Sequence, residues 1–144
     1  MNRILVVDDD HMVTKMVRIN LELEGFEVVE VWDGKSAMKI LKEDKTDLLV
    51  LDIMMPQMDG WEILKQLRDD DGLKDLPVVV LTAQVRDENI ARGWMMGADG
   101  YIVKPFNPVV LADTLRKVLA ATPEEREAKR KEEIARLKNV YHEE

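Results

Sequence analysis

Cysteine is absent from this 144-residue chain, which excludes disulfides, thiolate metal sites and a cysteine nucleophile together. That absence suits a reducing compartment. No apolar run approaches the ~20 residues that a membrane-spanning helix needs, and Asp8 interrupts the first apolar run before it could form a secretion leader. A soluble, cytoplasmic protein with no membrane contact is expected. Basic residues are also in deficit: 21 Lys and Arg against 29 Asp and Glu leave a formal charge of −8. General affinity for nucleic acid uses a basic face, so no direct nucleic acid binding is expected. Neither an internal repeat nor a low-complexity tract is present, and the length suits a single domain able to bury most of its apolar surface.

What the chain does have is a series of short apolar runs, each ending in a charged or hydroxyl residue. Ile4 to Val7 ends in Asp8-Asp9-Asp10, Leu48 to Leu51 in Asp52, Val78 to Leu81 in Thr82-Ala83, and Tyr101 to Val103 in Lys104-Pro105. Runs of this kind between helical stretches predict buried parallel strands. Strands are expected over 3–7, 26–31, 47–51, 78–81 and 101–103. Helices are expected from about Met12 to Leu23 with Gly25 as the stop, after Asp33-Gly34, through Trp61 to Leu67, from Asp87-Glu88 to near Gly97, and from Pro108 through Leu119. Five β/α units of a doubly wound sheet occupy residues 1–121. Residues 122–144 change character. Thr122-Pro123-Glu124-Glu125 is a capping-box start, and the charged helix after it carries large apolar residues only at Ile134, Leu137, Val140 and Tyr141.

In a parallel sheet all strands deliver their C-terminal ends to one edge, where such folds bind ligands. Asp8, Asp9, Asp52, Thr82 and Lys104 should therefore converge. Carboxylates this close raise one another's pKa unless a cation intervenes, and a hard divalent ion, Mg2+ or Mn2+, suits oxygen ligands. Asp10 is better read as a helix N-cap. Asp52 is the natural nucleophile toward phosphorus. Lys104 offers a fixed positive charge and Thr82 a hydroxyl to phosphoryl oxygens, and the small Ala83 leaves room for a bulky donor. The Lys104-Pro105 step predicts a shaped turn, for which both trans and cis peptides are open.

The segments Ile-Leu-Val-Val-Asp-Asp-Asp, Leu-Asp-Ile-Met-Met-Pro-Gln-Met-Asp-Gly, Leu-Thr-Ala and Gly-Ala-Asp-Gly-Tyr-Ile-Val-Lys-Pro-Phe resemble the receiver domain of bacterial response regulators, in order and over residues 1 to about 121. The resemblance implies a CheY-like fold: a five-stranded parallel sheet of order 2-1-3-4-5, with five flanking helices plus the C-terminal charged helix. It implies phosphoryl transfer to Asp52 from a histidine kinase or phosphotransfer protein, in a signalling domain rather than a turnover enzyme. Asp9, Asp52 and the Met54 backbone carbonyl would ligate the ion, with Asp8 acting through water. Thr82 and Tyr101 would form the switch. Met54 and Gln84 stand at the two positions that tune the lifetime of the acyl phosphate.

By the same resemblance the output face is the fourth helix, fifth strand and fifth helix. Ile90 and Trp94, four residues apart, share one helix face and with Tyr101 should form an exposed patch for a downstream effector protein or second receiver. Ala91, Met95 and Ala98 form an adjacent row better suited to the core. The tail is expected to be a linker to an effector domain outside the chain, or a helix that docks through Ile134, Leu137 and Tyr141 on a partner or a symmetry mate. Two rival readings exist. A magnesium-dependent aspartyl phosphatase using Asp52 usually has a second acid two residues on, where this chain has Met54. A flavodoxin-like cofactor binder would want a Gly- or Ser/Thr-rich phosphate loop where Asp8-Asp9-Asp10 stands.

Overall fold

In the computed structural model, which describes residues 1–55, 59–83 and 86–142 (backbone alone at 87 and 139–142), helices alternate with strands along the chain. The order is β1 (Arg3–Val7), α1 (His11–Leu23), β2 (Glu27–Val31), α2 (Gly34–Glu43), β3 (Leu48–Asp52), α3 (Gly60–Asp69), β4 (Val78–Thr82), α4 (Asp87–Met95), β5 (Gly100–Val103), α5 (Pro108–Ala120) and α6 (Pro123–His142). All strand pairs are parallel and the sheet order is β2-β1-β3-β4-β5. The doubly wound expectation holds, with boundaries shifted by a residue. The last residue of β3 is Asp52 and the last of β4 is Thr82, so both polar groups are held by the ladder itself.

Alternation along each strand divides the core into two layers. Leu5, Val7, Leu49, Leu51, Val78 and Val80 face α2 and α3, where they meet Ala37, Met38, Leu41, Ile63, Leu64 and Leu67. Ile4, Val6, Leu48, Val50, Val79 and Leu81 face the opposite way, toward Val17 and Leu21 of α1 and Leu111 and Leu115 of α5. Central strands covered on both faces need apolar residues at every position, which explains the unbroken Val, Ile and Leu runs.

Local chemistry sets the helix ends. Asp10, Asp33, Asp59 and Asn107 each accept a backbone N–H from the first turn of α1, α2, α3 and α5 respectively. Gly25, at φ +91°, ends the first β/α unit in a conformation that side chains disfavour. At α6 the capping box is reciprocal: Thr122 N donates to Glu125 Oε1 and Glu125 N to Thr122 Oγ1, both at 3.1 Å. Trp32 and Trp61 sit near helix starts. Trp32 stacks on His11 at 4.3 Å between centroids and donates to Thr14 Oγ1 at 2.9 Å, while Trp61 lies beneath the Arg92 guanidinium.

Two expectations about α4 are corrected. Trp94 is buried, at 7 % exposure, and Met95 is exposed at 62 %. Ile90 and Tyr101 are half-buried, so Ile90, Trp94 and Tyr101 do not form an exposed patch. The reason is α6, which packs against α4 and brings Leu137 to 2 % exposure. The tail docks on its own domain through Leu137, with Ile134 half-buried; the side chains of Val140 and Tyr141 lie outside the described residues.

Gly60, the first residue of α3, lies directly against the backbone at the end of β3. A Cβ there would lie 2.4 Å from Ile53 Cα and 2.6 Å from Asp52 O. Backbone atoms cannot yield as a flexible side chain can. Gly60→Ala should therefore lower stability by about 2 kcal/mol or more, measured as the shift in urea midpoint against the parent chain.

Candidate functional site

The sheet edge gathers the predicted residues because neighbouring strands end level. Val7 pairs with Leu51, Asp52 with Leu81 and Thr82 with Val103. Asp8 and Asp9 leave β1, Asp52 and Thr82 end β3 and β4, and Lys104 leaves β5 with its amide bonded to Thr82 O at 2.8 Å. One carboxylate oxygen from each of Asp8, Asp9 and Asp52 lies within 4.8 Å of the others. Lys104 Nζ stands 2.6 Å from Asp8 Oδ2 and 3.7 Å from Asp52 Oδ2. The Lys104–Pro105 peptide is cis.

Burial grades the three acids. Asp8 and Asp52 are enclosed while Asp9 is exposed. Asp8 Oδ1 accepts the Asp10 amide at 2.9 Å. Its other oxygen forms the Lys104 ion pair without a well-directed hydrogen bond. Asp52 Oδ1 accepts the Met54 amide at 3.1 Å. Burial is the main force on Asp52 and pushes its carboxyl up to about 6; Asp8 and Asp9 add to the rise, while the Met54 amide and Lys104 oppose it. For Lys104, burial works against the ammonium, but its close pairing with Asp8 and the charge of Asp52 outweigh this and hold its pKa above the usual lysine value.

Three acids against one lysine leave the cluster two charges short of balance, in a setting of oxygen donors only. That donor set fits a hard divalent cation such as Mg2+, which takes carboxylate, carbonyl and water ligands. A cavity of ≈ 420 Å³ beside the acids is lined by Asp9, Ile53, Met54, Met55, Asp59 and Trp61. The Met54 side chain is 55 % exposed at its rim. Thr82 is fully buried and Ala83 exposed. Gln84 lies outside the described residues. Tyr101, which pairs with Val80 on β4 two residues before Thr82, donates its hydroxyl to Asn89 O at 3.0 Å, and burial pushes its phenol up.

A second charged cluster, at the opposite edge of the sheet, escaped the sequence reading. Asp99, just before β5, faces Arg68, Arg126 and Arg130. The available signal was the spacing of Arg126 and Arg130, four apart on one face of α6.

The response regulator receiver domain family matches residues 4–116. The DNA-binding dual master transcriptional regulator RpaA of Synechocystis is 35% identical over 134 residues, 93% of this chain and 56% of the relative. CpxR, a transcriptional regulatory protein of Escherichia coli K12, is 42% identical over 119 residues, 83% of this chain and 50% of the relative. Among solved structures, chemotaxis protein CheY4 of Vibrio cholerae superposes with a TM-score of 0.78 at 36% identity, covering 82% of this chain and 98% of that one. The chain spans about half the length of the curated relatives it matches. These relatives correct the expectation of no direct nucleic acid binding: RpaA is described as DNA-binding. A net charge of −8 describes only the stretch shared with such proteins and does not exclude a nucleic acid role for the family. Among the described residues no helix is long and apolar enough to cross a membrane.

The raised carboxyl gives a stability prediction for the metal-free protein. A folded-state pKa near 6 against 3.8 means that the fold binds the Asp52 proton more tightly than the unfolded chain does. This group therefore costs stability above pH 6, and the cost disappears as pH falls toward 3.8. Asp52→Asn should stabilise the metal-free chain by about 1–3 kcal/mol at neutral pH. The difference between the two chains should shrink across that window in urea unfolding measured at successive pH values.

Proposed function

The chain belongs to the response regulator receiver domain family, and from that premise we propose that Asp52 accepts a phosphoryl group from the phosphohistidine of a histidine kinase or phosphotransfer protein. The supporting observation is the clustering of Asp8, Asp9 and Asp52 within 4.8 Å, with Lys104 Nζ 3.7 Å from Asp52. Asp8, Asp9 and Asp52, with the Met54 carbonyl, would hold Mg2+ or Mn2+. When bound, the ion supplies charge neutralisation around the transferring phosphoryl group.

The protein's own groups do the rest. An Asp52 carboxylate oxygen forms the new P–O bond as the P–N bond to the donor imidazole breaks, and the imidazole nitrogen regains a proton. The Met54 amide, bonded to Oδ1, fixes the rotation of the carboxylate. Lys104 moves from its pairing with Asp8 and Asp52 to a phosphoryl oxygen, and Thr82 donates to another. Because Thr82 and Tyr101 lie on adjacent strands beside α4, that hydroxyl's movement is felt by the tyrosine and by the helix to which it bonds. The chain is a signalling domain whose chemistry is confined to gaining and losing its own phosphoryl group. The phosphatase alternative lacks its second acid, because Met54 occupies that position. A cytoplasmic setting suits a chain without cysteine and a kinase donor.

Two measurements test this reading. Incubation with Mg2+ and a phosphodonor should label the chain to one equivalent at Asp52, and Asp52→Asn should remove the label; sustained phosphate release, or label elsewhere, contradicts the proposal. Mg2+ should also raise the thermal midpoint with a dependence on its concentration, worth about 2.7 kcal/mol at a hundredfold excess over Kd. Asp9→Asn should diminish that shift. For lifetime, Met54 cannot orient water by a strong hydrogen bond, so Met54→Asn should change the autodephosphorylation rate, followed as loss of label after donor removal.

A further inference from the structure

A cavity of ≈ 410 Å³ lies where residues of α4, β5, α5 and α6 meet, and it shares no lining residue with the acid cluster. Its apolar walls are the rings of Trp94 and Tyr101, tilted at 44° with centroids 6.3 Å apart, and the side chain of Val118. Small-molecule sites span about 300–1,000 Å³ and combine apolar walls with a few placed polar groups. This cavity has both the size and the mixture.

Two of its polar groups are poorly met. Trp94 is buried, yet its indole N–H has no hydrogen-bond partner among the described residues, whereas that of Trp32 donates to Thr14 Oγ1. A buried tryptophan usually finds an acceptor. Arg126 is 9 % exposed, and its Nε, 3.3 Å from Asp99 Oδ1, makes no well-directed hydrogen bond. Both groups are donors only.

Charge points the same way. The enclosed acid on the wall, Asp99, is already outnumbered by Arg68, Arg126 and Arg130. Glu125, the other acid, is held in the capping box by the Thr122 amide. Lys117 and Lys129 stand exposed on the lining. Lys129 shares its charge with Glu133 at 3.1 Å, while Lys117 has no ion pair among the described residues. A chain of net charge −8 thus carries a local excess of positive charge beside an aromatic wall.

We propose that this cavity is a binding site for a small amphipathic organic anion, an aromatic carboxylate in its simplest form. The flat apolar body lies against Trp94, Tyr101 and Val118; the carboxylate oxygens accept from donors of the lining and meet the ammoniums of Lys117 and Lys129. A bare inorganic anion has no surface for the aromatic wall. An uncharged aromatic fills the wall but leaves the positive charge unanswered. The site is independent of the phosphoryl-transfer reading, since none of its residues belongs to the acid cluster.

The test titrates the full chain, without Mg2+ or phosphodonor, with 2-naphthoate and separately with uncharged 2-naphthamide. The readout is the indole N–H signal of each of the three tryptophans in nitrogen-15 NMR, with the Trp94 signal identified by its loss in Trp94→Phe. 2-Naphthoate should shift the Trp94 signal saturably and leave those of Trp32 and Trp61 in place. It should bind more tightly than 2-naphthamide, and added salt should narrow that difference. Lys117→Gln combined with Lys129→Gln changes two exposed side chains, so the fold is kept. That variant should bind 2-naphthoate at least about threefold more weakly and 2-naphthamide as the parent does. A Trp94 signal that does not move, equal shifts at all three tryptophans, equal affinity for the two probes, or undiminished 2-naphthoate binding by the double variant would each overturn the proposal.

Discussion

The structure depends on an electrostatic imbalance held at one edge of a parallel sheet. Parallel strands must end together, and these strands end in acids. Asp8 and Asp52 are buried there with Lys104 as the cation paired to both, and Asp9 stands within reach of them. Burial and mutual repulsion raise the energy of the charged Asp52 carboxylate, which is why its pKa lies well above that of an ordinary aspartate. A site in this condition favours anything that brings positive charge to it, or that converts Asp52 to a form whose charge is better met by its neighbours. Protonation of Asp52 relieves it at low pH, and a bound cation would do so at neutral pH.

The opposite edge has the reverse arrangement. There one enclosed aspartate, Asp99, is met by three arginines from α3 and α6. Asp99 also bonds the first amide of β4, so it ties two strands at their starts as well as the tail helix. The tail helix seats on the same wall that contains Tyr101, and Tyr101 stands one strand from Thr82. The two charged clusters are thereby joined through β5, one beyond each end of a four-residue strand. Gly93 permits the tyrosine's position, since a Cβ there would lie 2.4 Å from its ring.

Local and nearest-neighbour rules made much of this legible from the residues. The apolar runs announced buried parallel strands because both faces are covered, and their polar ends announced a shared edge because parallel strands cannot end elsewhere. Asp10, Asp33 and the Thr122–Glu125 box behaved as caps because capping is settled within one turn of chain. What failed depended on contacts between distant segments. Trp94 and Met95 are consecutive, and which one faces inward depends on where α6 lies, about thirty residues later. Similarly, Arg126 and Arg130 looked like part of a solvated charged helix, because nothing near them in sequence announces Asp99. Expectations about nucleic acid failed for another reason: net charge was read for a stretch that corresponds to about half of its curated relatives.

If the excess negative charge around the Asp52 carboxylate is what a cation offsets, cation binding must lower the pKa of that group. Carbon-13 NMR of the Asp52 carboxyl, titrated with and without Mg2+, measures this directly. A midpoint near 6 is expected in the metal-free chain, falling when Mg2+ is added. A midpoint near 3.8 without metal, or one that Mg2+ leaves unmoved, would contradict it.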